Sequence, residues 1–386
     1  MPDGVLTASA EHMHPFRMSA WRIDRGCRSV SLTLGFLGVL GLPSPLIGCA
    51  ATPGDQGESD AGSSTTTAAT TSSTGPAMTT LEATSAGSAS DTSTGATTDA
   101  TTDATTGVTP TPDDCITEVT AGHHTFDCDG LVYDIEVPDV CLAQPCGMIF
   151  DVHGYTMSAQ MQDANTGMRA LGQEYGFIVV QPNANPAPPA SSWVPAVDDD
   201  KVFDFMQRVA AAWDVDPDRW HFTGFSQGGF MSWRFVCDHA DVLASVAPGA
   251  ACGNGVPFPD CRFVDGEVPS EPIDILYLHG SSDALVSFAC AQPRVDAVVE
   301  FFGLGAAEMV EQDETHTWVR HSNDEMVLEF IAHDYSAAVA IIRGHCFPGS
   351  TDPGDAPGQF FSFACEPPNA FVWGAAVMQF FVDHPR

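Results

Sequence analysis

The chain has 386 residues, enough for two domains or for one domain with appended segments. Hydrophobic residues make up 44% of the sequence, so a large core can form, and the formal net charge is −36. No lysine or arginine occurs between Arg28 and Arg169. We therefore expect no nucleic acid as a partner, because phosphate contacts need cationic side chains.

The N-terminal segment has the pattern of an export signal. Basic residues precede its apolar stretch, at Arg17, Arg22, Arg25 and Arg28. The apolar stretch, residues 30–42, is too short for a transmembrane helix and is typical of the hydrophobic region of a signal. It leads to Leu46-Ile47-Gly48-Cys49, which resembles a bacterial lipobox. This resemblance implies lipidation of Cys49 and a membrane anchor there; an ordinary signal peptide with an incidental cysteine is the alternative.

A segment of simple composition follows the signal. Residues 50–113 consist mainly of Ser, Thr, Ala, Gly and Asp and contain no aromatic residue. Such a segment cannot bury enough apolar surface to offset the entropy lost on ordering. We therefore predict three parts: a lipoprotein-type signal segment at 1–49, a disordered Ser/Thr-rich linker at 50–113 and a folded domain at 114–386.

Strand and helix patterns alternate through the folded part. Short apolar runs predict buried strands at 148–153, 177–181, 220–224, 243–247, 273–279 and 337–343. Helices are predicted at 159–175, from Asp198 onward, and at 369–384. The segment 315–334 is β-rich without an intervening helix, which indicates antiparallel pairing there. Strands separated by helices predict an α/β fold with a mostly parallel central sheet and helices on both faces.

Three consecutive aspartates, residues 198–200, begin the helix in the middle of this region. Negative charge at that position suits the positive end of the helix dipole. A cation site is the functional alternative for the same residues.

The segment Gly224-Phe225-Ser226-Gln227-Gly228 has the spacing of a nucleophile turn. Such a serine needs a strand before it, a helix after it and small residues on either side, because the turn is tight. The predicted strand 220–224 and the helical pattern from Gly228 supply that context. We therefore predict Ser226 as the nucleophile, rather than a buried serine in a glycine-rich loop.

A serine hydroxyl needs a base and an orienting acid, and in this strand–turn–helix context they follow in the order acid, then histidine. Asp283 lies just past the carboxyl end of a predicted strand, where α/β sheets place their sites. Asp274 begins that strand and Asp296 falls within a predicted helix. Asp283 is therefore the predicted acid, with a plain turn residue as the alternative.

His345 is the predicted base, because it follows the strand predicted at 337–343 in a loop with glycines and a proline. His333 is its main rival. His316 and His321 flank a tryptophan in a polar stretch and are predicted to lie on the surface.

An oxyanion formed during acyl attack needs two backbone N–H donors. The N–H of Gln227, directly after the serine, is one, and the N–H of Tyr155 is the other expected donor. His153 is predicted to shape that loop rather than to act as a base. Trp193 either lines a substrate pocket or packs its own loop down.

Ten cysteines lie beyond the signal segment, and none of them forms a Cys-x-x-Cys pair. An even set in an exported chain predicts disulfides, and a metal site is not expected. Local spacing suggests the pairs Cys141–Cys146, Cys252–Cys261 and Cys346–Cys365.

Four motifs in this order resemble the polyhydroxybutyrate-depolymerase and feruloyl-esterase branch of the α/β-hydrolases. They are Val152-His153-Gly154-Tyr155, Gly224-Phe225-Ser226-Gln227-Gly228-Gly229-Phe230-Met231, His279-Gly280-Ser281-Ser282-Asp283-Ala284-Leu285-Val286 and Gly344-His345-Cys346-Phe347-Pro348-Gly349. Phe347 stands where that branch usually has tryptophan. The resemblance covers roughly residues 115–386 and implies an eight-stranded type of sheet.

The same resemblance implies cofactor-free hydrolysis of carboxylic esters by a secreted serine esterase. Members of the branch act on polyesters, aromatic esters of plant cell walls and acetylated sugars, so an ester substrate is expected but its acyl group stays open. Two alternatives remain: a peptidase of the same superfamily, and a catalytically silent surface-binding module on the same scaffold. The presence of a serine, an aspartate and a histidine at the predicted catalytic positions argues against the silent binding module.

Overall fold

The computed structural model describes residues 112–253, 260–264 and 266–386. The predicted signal at 1–49, with Cys49, and nearly all of the predicted linker lie outside these ranges. Within the described ranges, no helix combines the length and the apolar character needed to cross a bilayer.

Ten strands among the described residues form one sheet at the centre of the fold. In chain order its strands are β1 (Gly122–Cys128), β2 (Leu131–Val137), β3 (Cys146–Val152), β4 (Phe177–Asn183), β5 (Val215–Phe225), β6 (Ser245–Gly249), β7 (Asp274–Gly280), β8 (Glu308–Gln312), β9 (His316–Ser322) and β10 (Val327–His333). Their order across the sheet is β1-β2-β4-β3-β5-β6-β7-β10-β9-β8. The six strands from β4 to β10 run parallel, and the strands at both edges pair antiparallel.

Helices cover both faces of this sheet. They are α1 (Ala159–Thr166), α2 (Met168–Tyr175), α3 (Val197–Ala212), α4 (Gln227–Asp238), α5 (Ala291–Phe302) and α6 (Trp373–Asp383). The helices α3, α4 and α5 share one hydrophobic cluster, and α1, α2 and α6 share the other. In β3 the side chains alternate between the two: Met148 and Phe150 join the first cluster and Ile149 the second. Because both faces are buried, this strand reads as a continuous apolar run rather than an alternating one.

This strand order, with helices on both faces, is the predicted α/β-hydrolase fold. The expectation of an eight-stranded sheet is wrong, because β9 and β8 extend the sheet beyond β10. The antiparallel pairing expected within residues 315–334 is confirmed as the β9–β10 hairpin.

The strand predicted at 337–343, just before His345, is absent from the described fold. This segment forms a turn with isolated single bridges at Ala337 and Arg343, and Arg343 has a positive φ of 43°. The neighbouring strand β10 already pairs with β7 on one edge and β9 on the other. Ala337 and Ile342 of this segment are instead buried in the hydrophobic cluster that includes α6. Apolar character alone therefore misassigned this segment.

The single helix predicted at 159–175 is two helices. Gly167 lies between them in the left-handed conformation, with φ 63° and ψ 22°. A glycine takes this conformation without a Cβ penalty, so it ends α1 and lets α2 begin in a new direction.

Candidate active site

Ser226 lies at the turn between β5 and α4. Its backbone has φ 54° and ψ −114°, a conformation that a non-glycine residue adopts only under strain. Its side chain makes no cap hydrogen bond to α4, and the residue is partly exposed. The hydroxyl is therefore displayed at the carboxyl end of the parallel strands.

Glycines allow this turn to pack closely on its neighbours. A Cβ at Gly228 would overlap the backbone carbonyl of Val152 in β3, and one at Gly224 would come within 2.6 Å of the Gly228 carbonyl carbon and oxygen. A Cβ at Gly154 would lie 3.2 Å from the Ser226 Cβ, so the loop after β3 passes directly beside the serine. Three backbone segments meet here because none of these positions has a side chain.

Two backbone N–H groups near Ser226 are available as donors. Gln227 is the first residue of α4, so its N–H has no partner within the helix and points along the helix dipole. In the loop after β3, the N–H of Thr156 bonds to the Ser191 carbonyl at 2.9 Å and that of Met157 to the Gly154 carbonyl at 3.2 Å. The N–H of Tyr155 has no partner among the described residues. This favours Tyr155 over Thr156 as the second donor.

His153 and Trp193 brace this loop. Trp193 is buried, and its indole N–H donates to the His153 carbonyl at 2.8 Å. The Gln227 side-chain amide accepts from the backbone N–H of Trp193 at 3.0 Å and donates to the backbone carbonyl of Trp193 at 3.2 Å. Trp193 therefore packs its own loop down instead of lining an open pocket.

Burial holds the pKa of His153 at about 4, so the ring is neutral near pH 7. The ring accepts at Nε2 from the Ala184 N–H at 3.0 Å and donates from Nδ1 to the Gly154 carbonyl at 2.7 Å. Both nitrogens are occupied, so His153 has no lone pair for proton transfer.

Asp283 and His345 meet across two loops. The Asp283 Oδ2 accepts from His345 Nδ1 at 2.6 Å, and both side chains are almost fully buried. The Asp283 Oδ1 accepts from the backbone N–H groups of Leu285 and Val286, each at 2.8 Å. The carboxylate is thus held on both oxygens, and the imidazole is left with Nε2 directed away from the acid.

Aromatic contacts bring the histidine loop next to the serine. The Phe225 ring, directly before Ser226, lies 4.9 Å from the His345 ring and stacks on Phe347 at 3.9 Å between centroids. Phe347, which replaces the tryptophan usual in the resembling branch, is fully buried. The Cys346–Cys365 disulfide and the hydrogen bond from the Cys365 N–H to the Phe347 carbonyl anchor the same loop.

The acid and histidine loops touch through paired glycines. A Cβ at Gly280 would overlap the backbone of Gly344, and one at Gly344 would come within 2.8 Å of the Asp283 nitrogen. An isolated bridge joins Asp283 to Arg343 at the same place. Each glycine adjoins a histidine, in the motifs His279-Gly280 and Gly344-His345, but the sequence did not predict that the two glycines pack against each other.

The rival residues form no hydrogen bond or ion pair with Asp283 or His345 among the described residues. His333 ends β10, stacks on Tyr335 and is buried, with its pKa lowered to about 3 by burial. Asp274 begins β7 and bonds to His384 at 2.7 Å, and Asp296 lies within α5, as expected. His316 is buried, not on the surface, because it faces His333 across the hairpin and packs against the Phe371 ring at 5.2 Å.

Asp198 and Asp199, two of the three aspartates at the start of α3, have side-chain partners among the described residues. Asp199 accepts from the Ala196 N–H at 2.9 Å and forms a buried ion pair with Arg234 of α4 at 2.5 Å. Asp198 accepts from the Val194 N–H at 2.8 Å and pairs with Lys201 at 3.3 Å. These contacts cap α3 and fasten it to the helix that follows Ser226. In the part of the chain that the structure describes, no group of three or more His, Cys, Asp or Glu residues could hold a metal ion.

Comparison with known proteins gives partial matches. No family model matches the chain. A bifunctional acetylxylan esterase/xylanase, XynS20E, from Neocallimastix patriciarum is 24% identical over 149 residues, which are 38% of this chain and 21% of that protein. A protein named "Putative esterase NocK", from Nocardia uniformis subsp. tsuyamanensis, is 28% identical over 144 residues, 36% of this chain and 40% of that protein. The chain therefore spans less than half the length of each of these relatives.

Among solved structures, the acetyl xylan esterase from Aspergillus awamori aligns with a TM-score of 0.44 and 15% identity. The alignment covers 55% of this chain and 93% of that one.

Five disulfides join the ten cysteines of the described domain: Cys115–Cys128, Cys141–Cys146, Cys237–Cys261, Cys252–Cys290 and Cys346–Cys365. The predicted pairs Cys141–Cys146 and Cys346–Cys365 are confirmed. The predicted pair Cys252–Cys261 is wrong, because Cys252 follows β6 and faces the segment before α5, whereas Cys261 returns to the end of α4.

Proposed function

We propose that the described domain is a serine carboxylic-ester hydrolase that works through an acyl-enzyme. The observation that carries this proposal is the 2.6 Å contact between His345 Nδ1 and Asp283 Oδ2, in a loop packed against the strained turn of Ser226. A paired acid and histidine beside a displayed serine are the parts that acyl transfer needs.

In the proposed cycle, the Ser226 Oγ attacks the ester carbonyl and His345 takes the hydroxyl proton at Nε2. The Asp283 carboxylate keeps the Nδ1–H of the imidazolium in place. The N–H groups of Gln227 and Tyr155 stabilise the oxyanion. His345 then returns the proton to the leaving alcohol, and the same base activates a water molecule that releases the acid.

Exposed apolar side chains lie in loops that carry or adjoin the proposed residues. Tyr155, Leu285 and Ile341 are each more than half exposed, and each lies in a loop that carries or adjoins one of the proposed residues. Phe360, the most exposed of this group, shares the lining of a small cavity with Thr156. We infer from these exposed apolar groups that the enzyme prefers an ester with an apolar or aromatic acyl group, such as a hydroxybutyrate oligomer or a feruloyl ester, over acetyl groups on a sugar chain.

We also propose that the protein is exported and tethered to a membrane through Cys49. The five disulfides support export, because such bonds form and persist in oxidising compartments.

The esterase names of both sequence relatives support the proposed ester hydrolysis.

The test is hydrolysis of a short-chain nitrophenyl ester by the purified protein and its Ser226→Ala variant. We expect wild-type turnover and a loss on the order of 10⁶-fold in kcat for the variant, since removal of a nucleophilic serine leaves only residual catalysis. A fluorophosphonate probe should label the wild type at Ser226 and leave the variant unlabelled. Equal turnover by both proteins would refute the assignment, and absence of labelling with intact folding would favour the silent binding module.

A substrate panel separates the remaining possibilities. Hydroxybutyrate oligomers, methyl ferulate and acetylated xylan should be compared with a chromogenic peptide. We expect the first two to be turned over faster than acetylated xylan. Preferential cleavage of the peptide would indicate a peptidase instead.

A further inference from the structure

β7 places a second histidine directly before the loop that carries Asp283. His279 is fully buried, and its Nε2 lies 3.0 Å from the Val286 carbonyl oxygen. Its Nδ1 lies 2.6 Å from the Tyr277 hydroxyl. Because a carbonyl only accepts, Nε2 carries the proton, and Nδ1 accepts the hydroxyl hydrogen of Tyr277. These two contacts select a single tautomer of the ring.

This histidine reaches the acid in two ways. The His279 Nε2 lies 3.6 Å from the Asp283 Oδ2, the same oxygen that accepts from His345. Val286 supplies the second connection: its N–H donates to the Asp283 Oδ1, and its carbonyl accepts from His279. The side chains of Asp283 and His279 have no exposed surface, so solvent and salt screen this contact little.

The surroundings keep the His279 ring neutral. Burial lowers its pKa below the ordinary value, although Asp283 opposes this effect. The other titratable groups that act electrostatically on this ring are His345 and His333. The Sγ of Cys252, in the Cys252–Cys290 disulfide, lies 3.7 Å from Nδ1 and closes the space on that side.

We propose that His279 is a positioning residue that acts through Asp283: its Nε2–H holds the acid loop at the Val286 carbonyl, and Nε2 lies 3.6 Å from the carboxylate oxygen that orients His345. This inference rests on the proposed function, because it concerns the acid of the same site. Tyr277 completes the arrangement: without its hydroxyl, the ring can adopt the other tautomer and lose the donor to Val286.

The simpler alternative is a histidine that only fills the core. That role predicts a loss of folding stability without a specific effect on turnover per folded molecule. A matched control exists in His221, which is also fully buried and bonds to Ser245 at 2.8 Å. His221 lies in β5 and makes no contact with Asp283 within the described residues. Tyr133, a buried tyrosine that donates to the Lys201 carbonyl, is the corresponding control for Tyr277.

The kinetic test uses the full chain with the variants His279→Leu, His279→Gln and Tyr277→Phe, beside His221→Gln and Tyr133→Phe. Turnover is normalised to sites labelled by the fluorophosphonate probe. We expect His279→Leu to lower kcat by up to about 10²-fold with little change in KM, as for a misplaced catalytic group. His279→Gln should restore most of the rate, because its amide can still donate to the Val286 carbonyl. The kcat of Tyr277→Phe should lie between the values of His279→Leu and His279→Gln.

The pH profile gives a readout that core filling alone does not move. A displaced Asp283 stabilises the imidazolium less, so the acidic limb of kcat/KM should shift to lower pH in His279→Leu and not in His221→Gln. Unchanged kcat and pH profile in His279→Leu would overturn the inference. So would equal losses of normalised kcat in His279→Leu and His221→Gln.

A measurement without substrate keeps this test separate from the proposed function. The proton shared by His345 Nδ1 and Asp283 should give a far-downfield imidazole resonance in proton NMR. Ser226→Ala should retain it, whereas Tyr277→Phe and His279→Leu should weaken or shift it. If the resonance is the same in all of these variants, the inference fails even when the esterase activity is present. If it changes as expected in a protein without activity, the positioning role stands and the esterase proposal fails.

Discussion

Asp151 in β3 is a carboxylate with no exposed surface. Its oxygens accept from Gln162 at 2.6 Å, Thr166 at 2.8 Å and Gln181 at 2.9 Å. Burial outweighs these hydrogen bonds and raises its pKa from 3.8 to about 6. The Gln162 Oε1 has no partner among the described residues. After rotation of the Gln162 amide, that oxygen can accept from a protonated Asp151.

These contacts predict the sign of one pH effect on stability. Because the folded pKa of Asp151 lies above its unfolded value, the folded state binds more protons between about pH 4 and pH 6. The stability that this proton binding adds to the folded state is fully present below the unfolded pKa of Asp151 and is lost as the pH rises through about 6. The shift of roughly two units corresponds to about 3 kcal/mol of unfolding free energy.

The variant Asp151→Asn should remove this pH dependence. Its amide can donate to the Gln162 Oε1 at every pH, so the variant should gain stability relative to wild type as the pH rises from 4 to 7. The measurement is the difference in unfolding free energy between the two proteins from denaturant titrations across that range. Asp127→Asn, at an exposed carboxylate in β1, is the control and should show a flat difference. A flat difference for Asp151→Asn as well would contradict the prediction.

At the scale of elements, the junction of β5 and α4 depends on missing side chains. Gly228 lies in the first turn of α4, and a Cβ there would overlap the backbone of Val152 and His153. Backbone cannot move aside as a flexible side chain can, so the helix itself must shift and Ser226 must shift with it.

Gly228→Ala should therefore destabilise the protein by about 1–3 kcal/mol or more, as overpacking does, and lower turnover per folded molecule by about 10²-fold. Gly303→Ala is the matched control: Gly303 ends α5 with φ 66° and open space around it. Gly303→Ala should lower the free energy of unfolding by about 1–2 kcal/mol, because alanine is disfavoured in the left-handed conformation. It should leave normalised turnover unchanged. Thermal unfolding and probe-normalised kinetics measure both effects, and equal turnover in the two variants would disprove the steric argument.

At the scale of the whole molecule, five disulfides and a net charge of −36 fit a protein working outside the cytoplasm. The sequence before the described domain supplies the proposed anchor. Because a lipid on Cys49 would require that thiol, Cys49→Ser should move the protein from the membrane fraction to the soluble fraction of expressing cells.

Fractionation with immunoblotting measures this change, and a lipid label should be lost in parallel. Substitution of Cys27, the other cysteine of the signal segment, is the control and should leave the distribution unaltered. If the Cys49 variant stays in the membrane fraction, the lipobox interpretation is wrong and an ordinary signal peptide is favoured.

The sequence by itself determined the features that depend on neighbouring residues. The turn of Ser226 is local, since Gly224 and Gly228 lie within two residues of it, and buried strands such as β3 and β4 appear as apolar runs. The position of Asp283 followed from a strand that ends just before it. The α/β class with a mostly parallel sheet followed from the alternation of such strands with helical patterns, and the α/β-hydrolase fold was implied by the resemblance of the four motifs.

The tertiary structure decided whatever depends on contacts between distant segments. In the run at 337–343, Ala337 and Ile342 are buried in the cluster that includes α6, and the run forms isolated bridges instead of a strand because both edges of β10 are already paired. His316 is buried by the neighbouring strand β10 and by Phe371, which lies far away in sequence. The disulfide partners of Cys252 and Cys261, which are Cys290 and Cys237, depend on how α4 and α5 approach β6. The contact between His279 and Asp283 was likewise hidden, although both residues stand in one motif. Composition records what a segment can bury, but only the packing of the whole sheet decides against which partner it is buried.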